Sequence, residues 1–267
     1  MSKYSRNWNE AIYQKYIREG RGQGSRGKYK PWILVRNFAS KGMVSRINGV
    51  KTGRIHHLMS NNELHFFYLL DWSDEVIDIR EQFPLLELQR IIEIAEKAHI
   101  QYPYDNKSGF PYVLTSDFFI ETTRGFEVVT IKESTELKKL RVREKLEIER
   151  RYWNEKNVKW SIVTEKEIDQ IKAKNIEWLS QARDLGRFCI SERLQKDCIE
   201  YFLMRFFDEK SSLNVLFDEI ELKFNFKSGM ALNIYKHLIY WKRIKIDVSK
   251  EIDWGYGTAF AVNGYGN

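Results

Sequence analysis

Glu63, Asp117 and Lys132 are the residues whose types could together break a phosphodiester bond. Such a hydrolysis needs charge neutralised at the phosphate and a water made nucleophilic, and carboxylates that hold magnesium beside a lysine supply both. A hard cation prefers oxygen ligands, so the main-chain carbonyl near Ile131 would form a partial shell with the two carboxylates. Lys132 would then orient or deprotonate the water.

The first of these carboxylates is positioned by a predicted helix. Ser60 suits the N-cap of that helix, Glu63 follows three residues later, and an apolar run begins directly afterwards. The same spacing is that of a capping box, in which Glu63 would only satisfy main-chain amides at the helix start. The pattern leaves both roles open.

The other two residues are positioned by a predicted β-hairpin. Residues 111–135, PYVLTSDFFIETTRGFEVVTIKEST, contain two short apolar runs joined around Thr123, Arg124 and Gly125. Asp117 would lie in the first strand and Lys132 in the second. Both strands could therefore direct polar groups at one point.

Thr130 would share the face of Lys132, because side chains alternate along a strand, and it is a further candidate metal ligand. Its hydroxyl is shorter than a carboxylate and a poorer ligand. Glu127 and Glu133 cannot easily substitute, because the same alternation points them to the opposite face. Glu149, on the helix that follows, could support the metal ligands or bind a metal-bound water, but we expect it to be a solvent-exposed helix charge.

Further predicted elements surround these residues. Apolar residues at helical spacing predict helices over 7–19, 88–99 and 134–157, the last of them amphipathic. Short strands separated by glycine turns are predicted between 33 and 58, with others over 75–86 and 158–164. We expect a parallel crossover from the hairpin through the 134–157 helix to the 158–164 strand. The glycine-rich and basic stretch 20–32 is predicted to be flexible or tightly turned.

The C-terminal part has a different pattern. A connector over 168–182 is followed by three predicted helices, 189–207, 211–224 and 228–244, and by a predicted hairpin within 245–262. Three helices and a small hairpin are typical of a winged helix, whose third helix often lies against a partner. We therefore predict two domains: an α/β catalytic domain over 1–167, with a mixed sheet flanked by helices, and a winged-helix-like domain over 168–267.

Composition and charge narrow the kinds of protein that this chain can be. The 267 residues carry a formal net charge of +7, which suits either a polyanion partner or a soluble protein that happens to be basic. Cys189 and Cys198 are the only cysteines, so the sequence implies neither a disulfide framework nor a multi-cysteine zinc site. No stretch approaches the roughly 18 apolar residues of a membrane span. We expect a soluble cytoplasmic protein.

Other chemistries fit the sequence less well. His56 and His57 are adjacent, so on a strand they would face opposite ways and could not jointly hold a metal. Neither cysteine has the context of a nucleophile, and the glycines of the 20–32 stretch follow no predicted strand, which disfavours a nucleotide loop.

Several strings narrow the interpretation further: IREGRGQG (17–24), KTGRIHHL (51–58), DIREQFPLL (78–86), TSDF (115–118) and EIERRYW (147–153). Together they resemble the TnsA family of transposon endonucleases over about residues 12–180. The resemblance implies a restriction-endonuclease-like fold that uses Mg²⁺, with Mn²⁺ as a substitute. It also places Glu63, Asp117 and Lys132 on the catalytic positions, with Glu63 and Asp117 as magnesium ligands. Thr130 departs from the pattern, because related nucleases usually have Glu or Gln there.

The same resemblance implies a role in cut-and-paste transposition. The chain would cleave the 5′ strands at transposon ends in a bacterial cytoplasm, beside a DDE-type transposase subunit, TnsB. An ATP-dependent regulator, TnsC, would contact the C-terminal domain. Two alternatives stay open: a catalytically weakened DNA-binding or scaffold subunit of the same complex, and a free-standing restriction or repair nuclease. We expect the basic stretch 18–30 and the helix after Lys132 to contact DNA phosphates.

Overall fold

A computed structural model describes residues 8–35, 43–208 and 212–252. The chain divides into two compact units, Met1–Ile168 and Asp169–Asn267. In the first unit the helices are α1 (Glu10–Arg18), α2 (Asn61–Trp72), α3 (Leu88–Lys97) and α4 (Leu140–Glu155). Its strands are β1 (Ser45–Asn48), β2 (Ile55–Leu58), β3 (Val76–Pro84), β4 (Thr115–Thr122), β5 (Gly125–Ile131) and β6 (Lys159–Val163). No helix in the described ranges is long and apolar enough to cross a membrane.

The central sheet has four strands in the order β3-β4-β5-β6. Strands β3, β4 and β5 are antiparallel neighbours, whereas β6 runs parallel to β5. The predicted hairpin is therefore confirmed, and so is the parallel crossover through a helix, which is α4. This mixed sheet with its helices confirms the predicted α/β class.

Helices pack on the sheet through aromatic and aliphatic side chains. A buried cluster joins α3 and α4 to the sheet, and it includes Ile91, Phe119, Val128, Ile148 and Trp153. Helix α2 meets strand β4 where the rings of Phe66 and Phe118 lie 5.6 Å apart. This packing fixes helix α2, which carries Glu63, and helix α4, which carries Glu149, relative to the sheet.

The glycine-rich stretch 20–32 is tightly turned and runs beside strand β3. Gly22 has a φ of +74°, and a Cβ there would lie 2.2 Å from a ring carbon of Pro84, so only glycine fits. The Arg26 amide donates to the Asp78 carboxylate at 2.9 Å, and the Tyr29 hydroxyl donates to the Glu81 carbonyl at 3.1 Å. This stretch is part of the packed structure, as the buried Tyr29 shows.

Three sequence predictions need correction. Residues 33–35 are not in a strand, and 36–38, the rest of that predicted strand, lie outside the described residues. The helix predicted from 134 begins at Leu140, after a short 3-10 helix over Glu136–Lys138. Of the predicted C-terminal hairpin, 245–252 contain no strand, and 253–262 lie outside the described residues.

The second unit is helical in the residues described. It contains α5 (Gln170–Ser180), α6 (Glu192–Phe206), α7 (Leu213–Phe224) and α8 (Met230–Tyr240). Phe202 of α6 and Tyr235 of α8 stack with ring centroids 5.9 Å apart, and both are fully buried. The predicted connector over 168–182 contains α5, which packs against α8.

Candidate active site

Glu63 lies in the first turn of α2 with its side chain buried. The Ser60 hydroxyl accepts a hydrogen bond from the Glu63 amide at 3.1 Å, as expected for an N-cap. The Glu63 carboxylate accepts from the Met59 amide at 2.8 Å, so it satisfies a main-chain donor just outside the helix. The predicted capping role is therefore present, and it fixes the carboxylate at the helix start.

Asp117 and Lys132 meet at the end of the central hairpin. One carboxylate oxygen of Asp117 accepts from the Ile131 amide at 2.8 Å and from Lys132 Nζ at 2.9 Å. Lys132 Nζ also donates to the Ile131 carbonyl at 2.6 Å. Asp117 is 1% exposed, whereas the Lys132 side chain is 27% exposed. The ammonium thus links a buried carboxylate to solvent.

The hydroxyl of Thr130 is engaged inside the protein. It is buried, and the hydroxyl donates a hydrogen bond to the carboxylate of Glu149. The Trp160 indole donates to the same carboxylate oxygen at 3.0 Å. The prediction that Glu149 is solvent-exposed was wrong, because α4 turns this residue toward the sheet.

The Glu149 carboxyl has an unusual environment. Burial raises its pKa above the ordinary value, and hydrogen bonds from Ser116, Thr130 and Trp160 partly offset this rise. The charge of Asp117 raises the pKa further, so the two carboxylates are electrostatically coupled. Asp117, Thr130 and Glu149 therefore belong to one polar cluster between the sheet and α4.

Gln82, which sequence reasoning did not single out, belongs to the same region. Its side-chain amide donates to the Glu63 carboxylate at 3.2 Å. Glu81 pairs with Phe118 and Phe83 with Ser116 in the β3–β4 register, so Gln82 stands opposite Asp117. The only sequence signal was its place within DIREQFPLL, two residues before the strand ends at Pro84.

Two groups that the sequence disfavoured as metal ligands, His56 and Glu127, have other partners. His56 is buried and shares its ring nitrogens with Glu81 at 2.8 Å and Thr52 at 2.7 Å. Glu127 forms an ion pair with Lys159 at 3.3 Å, away from the Asp117 cluster.

The donors present suit magnesium by type. Glu63, Asp117 and the Ile131 carbonyl are all oxygen donors, and Mg²⁺ is usually bound through one or two carboxylates and several waters. Within the described ranges no three His, Cys, Asp or Glu side chains converge as a ready metal cluster. A site built here would therefore depend on main-chain oxygen, water and substrate oxygen for its remaining ligands.

Comparison with known proteins gives the same family as the sequence strings. Residues 73–165 match the family model described as TnsA-like endonuclease N terminal, and residues 167–248 match the one described as TnsA endonuclease C terminal. The chain is similar to the transposon Tn7 transposition protein TnsA of Escherichia coli. The two are 34% identical over 257 residues, which cover 94% of this chain and 90% of that protein.

Proposed function

The chain belongs to the TnsA endonuclease family, and from this premise we propose that it is a metal-dependent DNA endonuclease of a heteromeric transposase. It would cleave the 5′ strands at transposon ends in cut-and-paste transposition. The observation that carries the proposal is the junction of Asp117, Ile131 and Lys132, where a buried carboxylate, a carbonyl and a partly exposed ammonium meet. These groups can supply the cation binding and the charge stabilisation that phosphodiester hydrolysis uses.

Mg²⁺, with Mn²⁺ as a substitute, would be held by Glu63, Asp117 and the Ile131 carbonyl. When bound, the cation supplies neutralisation of the negative charge at the scissile phosphate. The Met59 amide and Gln82 fix the Glu63 carboxylate, and the Ile131 amide fixes that of Asp117. Ligands held in this way lose little freedom when a cation arrives.

Lys132 would act at the attacking water. Its ammonium is held by Asp117 and the Ile131 carbonyl, and its partial exposure leaves it accessible to substrate. From that position it can orient a water and stabilise negative charge that develops on the phosphate oxygens. The retention of Lys132 beside Asp117 favours a working nuclease.

Glu149 would compensate for the threonine at position 130, where related nucleases usually have Glu or Gln. Threonine lacks the carboxylate or amide expected there, but its hydroxyl bonds to the buried Glu149 carboxylate. Glu149 would thus bring a carboxylate to the Thr130 position from α4, where it can accept a proton from a water bound nearby. The competing function, a catalytically weakened scaffold, predicts no cleavage by the natural chain and restored cleavage in Thr130→Gln.

The proposed partners follow from the family. DNA at transposon ends is the substrate, a DDE-type TnsB subunit would act on the 3′ strands, and a TnsC regulator would contact the C-terminal unit. Strong cutting of naked DNA by the chain alone would instead support a free-standing nuclease.

The test is Asp117→Asn in the reconstituted transposase. We expect 5′-strand cleavage to fall at least about 100-fold, because the substitution removes a ligand charge at the reacting phosphate. Glu127→Gln is the matched control, since Glu127 pairs with Lys159 outside the cluster, and it should cleave normally. Unchanged cleavage by Asp117→Asn would refute the assignment.

A further inference from the structure

Gln82 has a backbone conformation that is unusual for its place in the fold. Its φ is +48°, in the left-handed region that side-chain-bearing residues rarely adopt. Six other non-glycine residues of the described chain have positive φ. Five of them lie at helix C-termini and Arg26 opens a 3-10 helix, whereas Gln82 lies inside a β-strand.

The strand register does not require this conformation. Glu81 still pairs with Phe118 and Phe83 with Ser116, so no residue is inserted at Gln82. The surroundings hold the strained residue in place, because its carbonyl accepts from the Trp32 amide at 3.3 Å and its side chain is fully buried. Strain of this kind persists only where the surroundings over-determine the conformation, and it is often found at functional sites.

The side chain shows what the conformation achieves. The Gln82 amide reaches the Glu63 carboxylate, which also accepts from the Met59 amide and the Ser60 hydroxyl. These three hydrogen bonds reach both oxygens of the carboxylate, so they fix its direction. A metal ligand that outer hydrogen bonds hold in this way presents its oxygen to the cation in a fixed direction.

We propose that Gln82 is a positioning residue that aims the Glu63 carboxylate at the metal site shared with Asp117. The inference rests on the proposed metal-dependent function. Gln82 stands opposite Asp117 on the neighbouring strand while its amide holds Glu63 of α2. It therefore ties the helix-borne ligand to the strand-borne ligand, and the left-handed backbone is what directs its side chain to that task.

The experiment measures Mn²⁺ binding to the full chain by calorimetry, together with thermal unfolding without metal. Gln82→Met keeps the volume and removes the donor, and Gln82→Gly removes the donor and relieves the left-handed strain. We expect both to bind Mn²⁺ about 10–100-fold more weakly than the unmodified chain, the range found for groups that orient metal ligands. Unfolding should stay cooperative.

Two controls separate positioning from general stability. Ile79→Val deletes a buried methyl group on the same strand and should lower the melting temperature without changing Mn²⁺ affinity. His99→Gly relieves a left-handed residue at an exposed position after α3 and should also leave the affinity unchanged.

Each outcome supports or overturns the positioning role of Gln82. If the unmodified chain does not bind Mn²⁺, or if Asp117→Asn binds it equally well, the proposed metal site is wrong and the inference fails with it. If that binding is present and Gln82→Met retains it at full affinity, the inference alone is overturned. Loss of cooperative unfolding in both Gln82 variants would assign the residue to the fold and also overturn the positioning role.

Discussion

Two buried carboxylates of the central sheet, Glu81 and Asp117, have opposite kinds of surroundings. Glu81 is fully buried, and the Arg54 guanidinium donates a hydrogen bond to each of its two carboxylate oxygens, at 2.8 and 2.6 Å. The His56 ring and the His57 amide also contact it, at 2.8 and 3.0 Å. Asp117 is equally buried, but its ionic partner Lys132 reaches toward solvent.

The difference separates a structural ion cluster from the proposed active site. Burial alone would raise the pKa of Glu81, but His56 and Arg54 outweigh it and hold the pKa well below its usual range. In the Asp117 region the coupled carboxyl of Glu149 has a raised pKa instead. A carboxylate whose ionic partners are all buried cannot reach a substrate, whereas one whose partner extends to solvent lies where a substrate can approach.

The largest expected effect on stability comes from Glu81→Gln. The change leaves the buried Arg54 guanidinium without its carboxylate, so we expect the free energy of unfolding to fall by about 3–5 kcal/mol. Urea unfolding measures this loss. The control is Glu127→Gln, which should lose no more than about 1 kcal/mol because the partner of Glu127, Lys159, is exposed. Equal losses in the two variants would remove the contrast between the clusters.

Asp117→Asn should have a much smaller effect on stability. The asparagine carbonyl can still accept from the Ile131 amide, and the partly exposed Lys132 can be solvated. We expect the free energy of unfolding to fall by only about 1–2 kcal/mol, because the main-chain hydrogen bond is kept, although cleavage is lost. A loss comparable to that of Glu81→Gln would mean that Asp117 is a structural residue.

Glu149→Gln should change how stability depends on pH. The folded pKa of Glu149 is raised, so its stabilising neutral form is present below the unfolded pKa of about 4.3 and is lost as pH rises through the folded pKa. Glutamine does not titrate, so the variant should gain stability relative to the unmodified chain as pH increases. Thermal unfolding between pH 4 and 8 measures this. Glu144→Gln on the same helix is the control, and a difference independent of pH would contradict the prediction.

The smallest effect on stability is expected for the double variant Arg26→Gln/Lys28→Gln. This variant tests whether the basic stretch 18–30 contacts DNA phosphates. Both side chains are exposed, and neither forms an ion pair with any residue that the structure describes. If each contacts a phosphate, the slope of log binding constant against log salt should decrease in magnitude by about 2. Arg124→Gln, at the hairpin turn remote from Asp117, is the control. An unchanged slope in the double variant would exclude this stretch from the DNA interface.

The arrangement of the first unit could be predicted from local sequence patterns, but the burial of individual side chains could not. Alternating apolar runs predicted the hairpin with Asp117 and Lys132, since a strand's period is visible in sequence. Glu149 was misjudged because helical spacing among charged neighbours does not say which charge faces the sheet. Gln82 was missed because a left-handed conformation is signalled by glycine or asparagine, and here tertiary contacts impose it on glutamine.

Strand β3 is an edge strand whose outer side is already occupied. Its carbonyls at Ile79, Glu81 and Gln82 accept from Arg54, Tyr29 and Trp32. An uncovered edge is a template for intermolecular strand pairing and aggregation. Through Tyr29 and Trp32 the turned stretch before residue 33 therefore shields this edge from strand pairing with other molecules. An N-terminal truncation that removed it would expose the edge of the sheet nearest the proposed catalytic residues.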